Sequence, residues 1–192
     1  MRAKHYRNRL TICPFGELDE ELTAFLAVSA GRVFGLEASV GGTLPVPAAA
    51  WTRRRSQYRS GKVLAALAGV APARAGPRPV MLGVTTVDLF TPGLNFVFGE
   101  ADPKERVAVI SLARLGSSGA GPPGGRSLLG ERMLKEAVHE LGHVFGLVHC
   151  GDPACVMHFS NVIGDTDRKG PGFCARCLAL LSESSAFTAK GF

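Results

Sequence analysis

Residues 139–149 read HELGHVFGLVH, and this run dictates how the chain around it must fold. On a helix, His139 and His143 project from one face, about one turn apart. Two imidazoles so placed can reach a single tetrahedral zinc at about 2.0–2.1 Å. Glu140, the next residue along, stands beside that metal without having to bind it, so it can take a proton from water there. A helix cannot bring a third ligand round at a good angle. Gly146 comes three residues after His143, where glycine can take a positive φ and stop the helix. The chain can then turn and return His149 to the metal. The short His-Glu-x-x-His core alone is a weak signal and calls for context. Gly146 and His149 at the required offsets, closing a helix-period segment, make chance a poor account.

Four cysteines follow. Cys150 and Cys155 enclose four residues, eighteen more intervene, and Cys174 and Cys177 enclose two. This is the spacing of a closed tetrahedral zinc site, with thiolates at about 2.3 Å and no open position, which stabilises and does not react. Two disulfides or free thiols are the competing readings. A reducing compartment, argued below, favours metal. His149 and Cys150 are adjacent, so neighbouring side chains would serve two metals, as the alternation of an extended chain allows. Cys13 lies alone in an apolar strand and reads as a small buried hydrophobe.

The chain has 192 residues, 46% hydrophobic and 20% charged, which is globular composition. Its sixteen arginines against six lysines, twelve prolines and only four asparagines and glutamines hint at a heat-adapted source. The net charge of +6 raises a nucleic-acid partner, but no clustered basic-aromatic pattern appears. The basic head, residues 1–9, and Arg53–Arg55 read as solvated surface, so no nucleic-acid partner is expected. The apolar LTICPF after the head is too short for a signal-peptide core, and no run approaches the roughly 18–20 residues of a membrane span. A soluble, cytoplasmic monomer is expected.

Apolar runs alternate with helix-period segments. RLTICPF, PVMLGVTTVDLF, LNFVFGEAD and RVAVISLARL read as strands, and LEASVGGTLPVP as a broken one. Residues 16–35 open with acids and end at Gly35, as a helix should. Residues 55–70 read as a second helix with Tyr58, Val63, Leu64 and Leu67 inward. Residues 116–127 are a loop by composition, and residues 128–146 a long amphipathic helix. A final helix is expected near residues 174–181. Such alternation argues an α/β sheet, mostly parallel, with room for one antiparallel edge strand.

The extended histidine motif with a downstream methionine resembles the metzincin clan of zinc peptidases. The added cysteines, HCGDPACVM followed by FCARC, are similar to those of the archaemetzincins. Residues 82–102 resemble that family more loosely. The resemblance implies an α/β (α+β), metzincin-like zincin catalytic domain spanning 1–192. It would have a twisted mixed sheet with an antiparallel edge strand and an active-site helix. An upper subdomain (1–146) would be followed by a small zinc-stapled C-terminal subdomain (147–192). Carried over by position, His139, His143 and His149 would bind a catalytic zinc, Glu140 would be the general base, and Met157 would lie beneath the metal without bonding it. Cys150, Cys155, Cys174 and Cys177 would hold a second, structural zinc. Some metzincins carry a tyrosine two residues after the methionine. Phe159 stands there and has no hydroxyl to offer. His158 is expected to be no ligand.

The function this implies is zinc-dependent hydrolysis of a peptide or protein substrate, by a zinc-bound water that Glu140 activates, with substrate extended along residues 94–102. The alternative is a zinc protein that binds a peptide or partner in its cleft with little or no peptidase activity. A nucleic-acid-binding zinc module leaves the His-Glu helix without a purpose.

Overall fold

The computed structural model describes residues 9–71, 78–116 and 128–184. Most of the basic head, nearly all of the 116–127 loop and the last eight residues of the C-terminal subdomain lie outside the described residues. The elements run β1 (Arg9–Phe15), α1 (Glu20–Phe34), β2 (Glu37–Val40), β3 (Trp51–Thr52), β4 (Gln57–Arg59), α2 (Ser60–Val70), β5 (Val80–Thr85), β6 (Leu89–Phe90), β7 (Gly99–Asp102), β8 (Val107–Ser111), α3 (Leu128–Val144), α4 (Ile163–Arg168) and α5 (Ala175–Glu183).

The main sheet has the order β2-β1-β5-β8-β7. The first four strands are parallel, with Leu10 opposite Val80 and Met81 opposite Val107. β7 runs antiparallel at the edge, with Gly99 opposite Ile110. The mixed sheet with an antiparallel edge strand is therefore as expected. Successive side chains leave opposite faces of a strand, and both faces of the central strands are covered. Val80, Leu82, Val84, Ala108 and Ile110 pack with Leu26 and Ala30 of α1 and with Met133, Ala137 and Leu141 of α3. Met81, Val107 and Val109 face the other way, against Val63, Leu64 and Leu67 of α2. Burial on both sides is why β5 and β8 read as unbroken apolar runs. Cys13 joins the second cluster, and burial pushes its thiol up to about 11.

Local signals set the helix ends. Asp19 caps α1, accepting from the amide of Leu22 at 2.8 Å, and Gly35 closes it in the left-handed region. The expected second helix starts late. Tyr58 lies in β4, paired with Leu89 and with its ring tilted against that of Trp51 at 4.9 Å, so strand pairing overrides its helical spacing. Of residues 94–102, only 99–102 form continuous ladder. Val97 makes a single bridge to Leu89 in a small second sheet, β3-β4-β6. No described helix is long and apolar enough to cross a membrane.

Candidate metal centre

α3 packs its inner face on the sheet and ends at a Schellman turn: the amide of Gly146 donates to the His143 carbonyl at 2.9 Å and that of Leu147 to the Gly142 carbonyl at 3.0 Å. Gly146 has φ 95°, the conformation that glycine adopts without strain. The reversed chain brings His149 back beside His143, ring centres 4.8 Å apart. The ligand nitrogens of His139, His143 and His149 lie within 4.8 Å of one another. The three residues expected to meet are brought together.

The two helical rings are fixed from behind. His139 Nδ1 is 2.8 Å from the Val156 carbonyl oxygen, and His143 Nδ1 is 2.8 Å from that of Leu147. A carbonyl can only accept, so both Nδ1 atoms carry the proton and both Nε2 atoms present lone pairs. Those Nε2 atoms stand 3.2 Å apart. Neither ring is disposed to take a second proton. Burial, then the nearby Lys169 charge, drives His139 down to about 2, and burial lowers His143. Two lone pairs aimed at each other are the arrangement that a shared cation would stabilise. Two ligands at about 2.0–2.1 Å from one tetrahedral ion would stand roughly 3.3 Å apart. The donor set fits zinc.

The sulfurs of Cys150, Cys155, Cys174 and Cys177 also lie within 4.8 Å of one another. Cys150 Sγ and Cys174 Sγ are 3.8 Å apart, far beyond a disulfide and close to the roughly 3.8 Å of two thiolates on one tetrahedral zinc. Backbone amides donate to the sulfurs, Cys174 N to Cys155 Sγ at 3.3 Å and Asp152 N to Cys150 Sγ at 3.5 Å. A backbone hydrogen bond from Cys177, together with the neighbouring thiols, holds the Cys174 thiol down to about 7. The disulfide reading is not what the geometry builds.

Met157 is fully buried, its Sδ against Gly142, the residue before His143. Its carbonyl accepts from the Cys150 amide at 2.9 Å, tying the methionine segment to the start of the cysteine segment. His158 stays outside the histidine cluster, with Nδ1 3.1 Å from the Cys150 carbonyl. The Phe159 ring leans on His149 at 4.8 Å.

A cleft opens beside His139, walled by residues 94–99, by Glu136, His139 and Glu140 of α3, and by residues 159–161. Glu140 is buried against it, and burial, then repulsion from Glu136, pushes its carboxyl well above the usual range, while Lys169 opposes this. Two charged residues near the site carried no expectation. Glu136 Oε1 accepts from Lys169 Nζ at 2.9 Å and from Thr166 Oγ1 at 2.8 Å, with both ionic side chains buried. Glu136 could have been found, since it sits one turn before Glu140 on the same helix face. Lys169 arrives from a distant segment, and no local pattern marks it.

Residues 51–183 match the family model described as Peptidase family M54. The chain is 44% identical over 182 residues to the archaemetzincin of Pyrococcus furiosus, covering 92% of this chain and 94% of that one. It is 40% identical over 179 residues to the archaemetzincin of Methanocaldococcus jannaschii, covering 93% and 96%. Among solved structures, archaemetzincin from Methanopyrus kandleri superposes with a TM-score of 0.79 at 36% identity, covering 96% of this chain and 98% of that one. The one from Archaeoglobus fulgidus, complexed with malonate, gives 0.74 at 37% identity, covering 89% and 98%.

Proposed function

The chain belongs to peptidase family M54 and is a zinc metallopeptidase, and from that premise we propose that His139, His143 and His149 hold the catalytic zinc while Glu140 moves the proton. Bound zinc supplies Lewis-acid polarisation of the scissile carbonyl and draws the pKa of water towards about 7. Glu140 accepts the proton of the attacking water on its carboxylate and passes it to the leaving amine. The Val156 and Leu147 carbonyls keep His139 and His143 aimed.

The substrate is a peptide or protein. It lies extended beside β7, whose outer edge has no partner among the described residues and can accept an added strand. Cys150, Cys155, Cys174 and Cys177 hold a second, structural zinc that fastens the segment delivering His149. Residues 1–146 and 147–192 act as upper and lower parts of one catalytic domain. The +6 charge is solvated surface, and neither nucleic acid nor a second copy of the chain is needed.

The convergence of two Nε2 lone pairs at 3.2 Å, with Glu140 buried beside them, carries this reading. Zinc-loaded wild type and Glu140→Ala should be compared on a broad peptide library. Wild type should cleave, with the variant slower by about 100-fold or more. Equal rates would remove Glu140 from the chemistry. Metal analysis should give two zincs per chain.

A further inference from the structure

Gly99 opens the edge strand, and its backbone does not ask for glycine. It is absent from the residues of positive φ, and it pairs with Ile110 in ordinary antiparallel register. Space is the reason instead. A methyl group built on Gly99 would stand 2.5 Å from Cγ and 2.8 Å from Oε1 of Glu140, and 2.8 Å from the Val109 carbonyl oxygen. Carbon contacts settle at about 3.5–4.0 Å, so any side chain here is driven deep into the repulsive wall. Glycine within a strand commonly marks close approach by another group. Here that group is the carboxyl-bearing arm of Glu140.

We propose that Gly99 is a positioning residue for Glu140. This rests on the reading of Glu140 as the proton-transferring group. A glutamate arm has three rotatable bonds and needs confinement to hold a carboxylate in place. The Gly99 backbone supplies one wall at van der Waals range. A side chain at 99 would push the arm from this seat. The histidines would be untouched, because their rings are held by the Val156 and Leu147 carbonyls. Loss of the glycine should therefore separate catalysis from metal binding.

Gly99→Ala is to be made in wild type, in Glu140→Asp and in Glu140→Ala. Zinc content, turnover of a fluorogenic peptide library and the urea-unfolding midpoint are then measured. In wild type, Gly99→Ala should lower kcat about 100-fold, the scale expected of a misplacement near 1 Å. KM should stay within about twofold, as when an interaction particular to the transition state is lost, and both zincs should remain. Glu140→Asp keeps Cγ, the atom 2.5 Å from a methyl group at Gly99, so adding Gly99→Ala should still cost it, whereas Glu140→Ala removes both clashing atoms. The unfolding midpoint, which needs no activity, should fall with Gly99→Ala in wild type and fall by less than half as much once residue 140 is alanine. A Gly99→Ala protein that folds only in the Glu140→Ala background supports the proposal equally. Equal loss of stability in both backgrounds, or failure to fold in both, overturns it and assigns the glycine to the Val109 carbonyl. Unchanged kcat in Gly99→Ala also overturns it. Equal cleavage by wild type and Glu140→Ala instead overturns the role of Glu140 itself, and the midpoints tell these failures apart.

Discussion

Lys169 Nζ, fully buried, meets Glu136 Oε1 at 2.9 Å, and the Glu136 side chain is itself almost wholly buried at the cleft wall. The pair joins the active-site helix to the segment just beyond α4. Removing one partner of a buried ion pair strands the other, whereas removing both leaves an apolar gap that can be filled. Lys169→Met should therefore cost about 3–5 kcal/mol, and Lys169→Met with Glu136→Met far less. Urea unfolding of the zinc-loaded proteins measures both. Additive losses would show that the two charges are uncoupled.

Acid should weaken the metal-free protein through His139. Burial, then Lys169, lowers its folded-state pKa from 6.5 to about 2. Below 6.5 the unfolded chain takes up a proton that the folded chain refuses. The stabilising contribution is thus complete above 6.5 and drains as pH falls towards about 2, by up to about 1.4 kcal/mol per pH unit. Urea midpoints of metal-free wild type and His139→Gln, taken from about pH 7.5 to about pH 5, should diverge in slope. Parallel slopes would refute this.

The tetrathiolate cluster should influence the histidine cluster. His149 precedes Cys150, and the Cys150 amide is bound to the Met157 carbonyl. Replacing Cys174 and Cys177 by serine should release one zinc and weaken the histidine site by about 10–100-fold, the scale of losing a supporting shell. Competition with a zinc chelator reports it. Unchanged affinity would make the two sites independent.

Gly146→Ala tests the helix stop. At φ 95° alanine is strained by about 1–2 kcal/mol, which lowers Tm by about 2–4 °C for each kcal/mol in a chain of this size. The same turn presents the Leu147 carbonyl to His143, so zinc affinity should fall as well. A Tm loss with full zinc affinity would mean that the ring is held by other contacts.

The histidine cluster is legible because helical periodicity converts spacing directly into direction: His139 and His143 have to share a face, and Gly146 has to end the helix. β5 and β8 are legible because burial on both faces leaves an unbroken apolar run. Where pairing depends on a distant partner, no comparable local signal exists. Tyr58 keeps the spacing of an inward helical residue, yet Trp51 and Leu89 draw it into β4. α4, only six residues long, is too short to show a period. Lys169 and Gly99 matter through what stands across from them, Glu136 and Glu140, and a chain read in one dimension does not show what stands across.

The adjacency of His149 and Cys150 leaves no slack at that peptide bond. One residue inserted or deleted there would swing one ligand away from its cluster, whichever cluster kept the register. The same rigidity extends back to Gly146 and forward to Cys155, because the amides of Leu147 and Cys150 are already committed to Gly142 and Met157. Length variation among natural or engineered forms should therefore be absent from residues 139–155.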